Sequence, residues 1–265
     1  RNHSSAASDV YKRQHIFIAL TWLVVLISFL FLLGLSSKVQ GNVVCKSLEI
    51  VIDYEKGNFF VNKEDIQTLI TSQMKGNTFQ LPTKDINLRQ LEHFLEENPY
   101  IKNAEVYLDI KGKMWVEVEQ HEPLVRIVSE SNASYYLSRS GIKMPTSSDF
   151  SARVPIASGY IADNGKNLGD IETEIVQDIY ELMQHVKDNK LLQSLFEQIY
   201  IEENGDFILT PKIGNHEINL GSVENKQQKF AKLLVFYKEG LANIGWDKYR
   251  TINLKYKNQV VCTKK

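Results

Sequence analysis

The feature that most constrains this chain is HIFIALTWLVVLISFLFLLGLSS, which holds an uncharged run from Ile16 to Leu35. At about 1.5 Å per residue such a run crosses a hydrocarbon core of about 30 Å, so it predicts a spanning helix. A buried core helix rarely lacks a polar face over that length. A cleaved signal peptide has a shorter apolar region, of about 7 to 15 residues, and Gly34-Leu35-Ser36 offers it only a weak small-x-small site. Lys12 and Arg13 precede the run and only Lys38 follows closely, a bias for a cytoplasmic N-terminus. The segment before it, RNHSSAASDVYKRQ, is polar and patternless and is set aside from fold reasoning. No second apolar run of spanning length occurs, so a single pass is expected, with a large portion outside the cytoplasm.

That portion reads as ordinary globular material, with 43% apolar and 24% charged residues over the chain. The formal charge of −1 gives no basic surplus, so nothing points to nucleic acid. Six histidines are scattered without ligand spacing, and no metal or other cofactor is expected. Cys45 and Cys262 are the only cysteines. Two so far apart are not a disulfide framework, and whether they pair is open. Cys45 follows Val43-Val44 and does not resemble a lipid-attachment site.

From Ser47 the pattern reads strand, helix, helix, strand, strand. SLEIVIDYE alternates apolar and polar residues. Asn62 and Asp65 then mark a helix start, with Ile66, Leu69 and Ile70 as its stripe and Gly76 as its end. A second helix begins near Asn87, buries Leu88, Leu91, Phe94 and Leu95, and stops at Asn98-Pro99. AEVYLDI and MWVEVEQ form a hairpin, with Trp115, Glu117 and Glu119 on one face and Val116 and Val118 on the other. Alternation breaks at Gln120-His121-Glu122-Pro123, where proline cannot donate to a ladder, so a boundary between two units is expected there. Five residues with one proline leave little freedom, which predicts a stiff junction.

This order resembles a POTRA domain, and NPYIKNAEV is similar to the POTRA segment in which a proline ends the second helix. VEVEQHEPLV resembles the strand end "V-x-V-x-E-x-x-P-x-A" that joins POTRA to the next domain in the bacterial division family FtsQ/DivIB. Val116, Val118 and Pro123 hold matching places, Glu119 or Glu122 supplies the acid, and Val125 stands where Ala is usual.

The remainder fits the same family. NASYYLSRSGIKMP reads as a hairpin with Gly141 in its turn and resembles the family's "lvd-x-x-G-x-v-f-P" segment. Ile171, Ile175, Ile179, Leu182, Met183 and Val186 predict a helix over 171–189, which Leu191, Leu192, Leu195 and Phe196 extend. EQIYIEENGDFILTPK predicts two strands about Asn204-Gly205, HEINLG another strand, and 223–243 a helix. TINLKY is similar to the family's closing "v-D-L-R-Y", with Asn253 and Lys255 in place of Asp and Arg.

One catalytic pattern occurs: Ser140-Gly141-Ile142-Lys143 satisfies S-x-x-K. That chemistry needs the serine at a helix start with lysine one turn later, whereas Gly141 and Pro145 predict a turn, and neither S-D-N nor K-T-G follows. Glu117 and Glu119 read as a solvated strand face, and His121 as a boundary residue. Tyr135, Tyr136 and Trp246 read as packing residues.

The expected fold class is α+β, a single transmembrane helix followed by a POTRA domain and a mixed β domain with flanking helices. The expected division is a tail at 1–15, a span at 16–36, a linker at 37–44, POTRA at 45–121, an FtsQ-type β domain at 122–258 and a tail at 259–265. The resemblance implies a non-enzymatic scaffold of the division machinery in the cytoplasmic membrane, working at the septum. Its implied partners are single-pass proteins of the FtsB and FtsL type and, further out, FtsK- and FtsW/FtsI-type proteins. A POTRA-bearing outer-membrane assembly or secretion factor is the alternative, and a cell-wall enzyme the third reading. Tyr249, Thr251, Ile252, Asn253, Leu254, Lys255 and Tyr256 are the expected partner-binding strand, taken as an edge because it comes last and carries Arg250, Lys255 and Lys257. The tail Gln259 to Val261 is expected to help it. Glu119, Pro123 and Val125 mark the domain boundary.

Overall fold

The computed structural model describes residues 20–32, 44–54, 56–74, 82 and 85–265. The expected tail at 1–15, both ends of the expected span, nearly all of the linker and the helix end at Gly76 lie outside the described residues. Residues 20–32 form a helix, α1, whose apolar side chains are exposed, Trp22 to 70% and Phe31 to 67%. Among the described residues no helix is long and apolar enough to cross a membrane.

Ser47–Ile52 (β1), Lys63–Gln73 (α2), Leu88–Glu96 (α3), Ile101–Leu108 (β2) and Lys113–Gln120 (β3) make the first unit. Its three-stranded sheet has the order β1-β3-β2, with β1 parallel and β2 antiparallel to β3. Period-2 alternation sends Met114, Val116 and Val118 inward, and α2 and α3 cover them with Ile66, Ile70, Leu91 and Leu95. Reciprocal capping sets the start of α2: the Asn62 side chain accepts from the Asp65 amide at 2.9 Å, and the Asp65 carboxylate accepts from the Asn62 amide at 2.9 Å. Asn87 caps α3 by accepting from the Gln90 amide at 3.1 Å.

The second unit is a nine-stranded mixed sheet with the order β12-β11-β10-β9-β8-β7-β4-β5-β6. Its strands are Pro123–Val128 (β4), Ser134–Ser138 (β5), Lys143–Pro145 (β6), Ile156–Gly159 (β7), Phe196–Ile201 (β8), Phe207–Pro211 (β9), Glu217–Gly221 (β10), Tyr249–Asn253 (β11) and Val261–Lys264 (β12). The parallel pair β7/β8 is joined through Glu174–Lys187 (α4) and Lys190–Leu195 (α5). The parallel pair β10/β11 is joined through Lys226–Val235 (α6), a π-helical stretch Phe236–Leu241 and Ala242–Ile244 (α7). Val176, Ile179, Leu182 and Val186 of α4 and Phe230 and Leu233 of α6 bury one face of the sheet in a common core.

Several boundaries differ from the sequence expectation for local reasons. The helix expected over 171–189 begins at Glu174 and does not run on, because Asn189 starts α5 afresh by accepting from the Leu191 and Leu192 amides. Phe196 belongs to β8. The helix expected over 223–243 begins at Lys226, after Asn225 in a left-handed conformation at φ 53°, and changes pitch at Phe236. The last expected strand ends at Asn253, and β7 and β12 are strands where none is expected.

Candidate partner-binding edge and domain junction

Of the expected partner-binding residues, Tyr249, Thr251, Ile252 and Asn253 lie on β11, while Leu254, Lys255 and Tyr256 follow it. The expectation that this strand is an edge is corrected by the pairing. β11 lies between β10, with Ile218 opposite Ile252, and β12, with Cys262 opposite Ile252 and Val261 opposite Asn253. The chain turns back after Tyr256, so the residues read as a tail cover the strand that chain order makes look terminal. Among the described residues the free edge at this end of the sheet is β12. Short length and an alternation broken by polar residues hide it from a hydropathy reading; only the Val260-Val261 pair signals it.

Ile252 and Leu254 are fully buried, so one face of β11 is committed to the core. Tyr256, expected on that face, is half exposed because the strand has already ended. Lys232 of α6 donates to the carbonyls of Leu254, at 3.2 Å, and Tyr256, which ties the turn to the helix. Lys255 crosses to Asp206 at 2.5 Å, and this hydrogen bond holds its ammonium pKa above the ordinary lysine value. β12 itself is largely exposed, with Val261 at 41%. Cys45 is buried in the first unit and Cys262 is part-exposed on β12; both are free thiols whose pKa values burial raises.

The boundary residues sit at a well-bonded junction. Pro123 opens β4 opposite Ser138, a position where its missing donor is tolerated, and Val125 is fully buried opposite Leu137. Glu119 accepts from Lys102 at 2.9 Å and lies 3.7 Å from Lys56. Glu122 gathers Lys187 at 3.0 Å and Lys56 and Arg139 each at 3.8 Å. Burial would raise the Glu122 pKa, but the Lys187 hydrogen bond and the three cations outweigh it and hold the carboxyl below its ordinary value. Burial, with the charge of Lys102, lowers the pKa of His121, whose Nδ1 is 3.2 Å from the Ser140 hydroxyl.

An aromatic cluster also joins the units, and sequence reasoning missed its centre. Phe60, in the loop before α2, stacks on Tyr100 at 5.2 Å and meets Tyr136 of β5 edge-on at 5.6 Å and Phe150 at 4.8 Å. Nothing in the local sequence distinguishes Phe60 from its neighbour Phe59, which is 55% exposed.

The S-x-x-K pattern has a structural explanation. Ser140 lies in the β5–β6 turn, and Lys143 is 1% exposed with its ammonium 2.8 Å from Asp163. Lys143 is thus committed as a buried ion-pair partner.

Comparison with family models gives two matches. A model described as FtsQ/DivIB, C-terminal related, matches residues 122–263. A model described as a POTRA-like domain matches residues 43–119. No curated protein matches the chain.

Proposed function

The chain belongs to the FtsQ/DivIB family, and from that premise we propose that it is a membrane-anchored, non-enzymatic scaffold of the division machinery that recruits single-pass partners of the FtsB and FtsL type by strand addition at β12. The observation that carries this reading is the order β12-β11-β10 at one end of the nine-stranded sheet, inside the region the family model matches. An edge strand offers unpaired backbone groups to an extended segment, and neighbouring side chains set its specificity. Lys264 and Lys265 lie on and beside this edge next to Lys248 and Arg250, with Asp247 pairing Lys265 at 3.8 Å, so cations outnumber acids and a segment carrying acidic side chains is favoured. Contacts with FtsK- and FtsW/FtsI-type proteins belong to the same reading.

Anchoring is supported by α1. Leu23, Ile27, Leu30 and Phe31 are each more than half exposed, a surface that needs an apolar partner, and the surrounding sequence from Ile16 to Leu35 is uncharged. The bias of Lys12 and Arg13 supports an orientation with the two folded units outside the cytoplasm.

The test uses two prolines. Successive amides of a strand point to opposite sides, so of Cys262→Pro and Thr263→Pro one removes a donor facing β11 and the other a donor facing outward. The reading expects at least one variant to keep its thermal transition while losing capture of an FtsB-type partner. Normal capture by both variants would refute strand addition.

A further inference from the structure

Among the described residues, the turn between β2 and β3 carries the most exposed of the large hydrophobic side chains, Ile110 at 81%. Single exposed apolar residues are common, and Ile110 alone would carry nothing. Three further observations give it a setting. First, the turn is held rigid: the Asp109 carboxylate accepts from the Lys111 and Lys113 amides, each at 2.8 Å, and Gly112 supplies a positive φ of 82°. Ile110 is therefore presented at a fixed apex.

Second, the turn lies where the chain enters this unit. The Lys46 amide donates to the Gly112 carbonyl at 2.8 Å. Between Leu35, the end of the uncharged run, and Lys46 the chain can span at most about 40 Å. The apex is thus tethered near the bilayer surface on the anchored reading above, on which this inference rests.

Third, the solvent face of the sheet carries aromatic rings close to the turn. Moving away from the turn along β3, the outward residues are Lys113, Trp115, Glu117 and Glu119. Lys113 sits 4.1 Å above the Trp115 ring, and Tyr107 stacks on Trp115. Farther along, Glu105 lies directly opposite Glu117. Glu49 of β1, opposite Trp115, pairs with Lys113 at 3.2 Å, and Lys102 pairs with Glu119 at 2.9 Å, so the face is mixed in charge; the cations that belong to the turn are Lys111 and Lys46, whose amide is bonded to Gly112. Aromatic rings favour the headgroup region and lysines favour an anionic leaflet.

We propose that the β2–β3 turn rests in the headgroup interface of an anionic phospholipid leaflet, with Ile110 inserted and Lys46 and Lys111 facing the phosphates. Such a second contact would fix the tilt of the first unit relative to its anchor.

The experiment uses the full chain with Cys262→Ser and Ile110→Cys, labelled at position 110 with a polarity-sensitive fluorophore; Cys45 is fully buried. The labelled chain is reconstituted in vesicles of phosphatidylcholine and phosphatidylglycerol with shallow nitroxide-bearing lipids. A second sample carries the label at Asn204, in the β8–β9 turn. Expected is co-flotation with the vesicles, a blue-shifted emission at 110 that the nitroxide quenches, no quenching at 204, and loss of quenching at 110 on adding Lys46→Glu and Lys111→Glu. Flotation with position 110 unquenched overturns the inference and leaves the anchored reading intact. Failure to float overturns both. Quenching that is equal in pure phosphatidylcholine and indifferent to the two charge reversals overturns the anionic contact.

Discussion

Gln120 and Phe60, 60 positions apart, are joined by a buried hydrogen bond: the Gln120 side-chain oxygen accepts from the Phe60 amide at 2.9 Å. The same oxygen accepts from the Val61 amide at 3.2 Å, and the side-chain nitrogen donates to the Asn58 carbonyl at 2.9 Å. A single side chain at the end of β3 thereby fixes the loop that carries Phe60 to Tyr136 of the second unit. Replacing it by alanine strands buried backbone groups, at a cost of about 2 to 4 kcal/mol. Gln120→Ala should lower the denaturant midpoint correspondingly and make residues 120–124 susceptible to limited proteolysis. A variant with wild-type stability and no new cleavage would show that the loop is held by other means.

The carboxyl of Glu122 is depressed in the folded state by Lys187, Lys56 and Arg139. A depressed carboxylate contributes stability that is present above the unfolded pKa of about 4.3 and is lost as pH falls through the folded value. Glu122→Gln should therefore be less stable than the parent at pH 7, by roughly 1 kcal/mol for a partly exposed network, and the difference should shrink below about pH 4. Unfolding curves of the two proteins at pH 7 and pH 3 decide it, and a gap that widens in acid contradicts the assignment.

Lys143 and Asp163 form an ion pair with side chains 1% and 4% exposed. Asp163 also accepts from the Gly165 amide at 2.7 Å. Lys143→Met leaves a buried carboxylate without its cation and should cost about 3 to 5 kcal/mol, whereas Lys143→Met combined with Asp163→Leu should recover much of the loss. A double-mutant cycle by chemical denaturation checks this, and additive losses would contradict it.

Asn253 separates an edge strand from an interior one. Because β11 is paired on both sides, Asn253→Pro should destabilise the second unit by about 1 to 3 kcal/mol through a lost ladder bond and an unpaired acceptor. Thermal unfolding measures it, and an unchanged transition would mean that β12 is not paired in solution.

The first unit was largely legible from sequence because each element carries its own signal. Alternation marks β1, β2 and β3, side-chain caps at Asn62 and Asn87 mark the helix starts, and Pro99 marks a stop. The second unit hid two strands. β7 is IASG, four residues with no alternation, and it is a strand because β4 and β8 flank it in parallel. Its Gly159 has a φ of 102°, and an added Cβ would lie 2.2 Å from the Ile201 carbonyl oxygen, a constraint only the tertiary fold reveals. β12 is short, exposed and polar, so its pairing with β11 follows from the reversal of the chain after Tyr256 and not from its composition. That omission misplaced the edge by one strand.

The most direct measurement is the position of the full chain, fused to a fluorescent protein, in dividing cells of its own host. A division scaffold that recruits single-pass partners predicts a band at the septum that appears with constriction, and a septal band of an FtsB-type partner that is lost when the outward-facing amide of β12 is removed by proline. An even distribution of the chain around the cell envelope throughout division would contradict it.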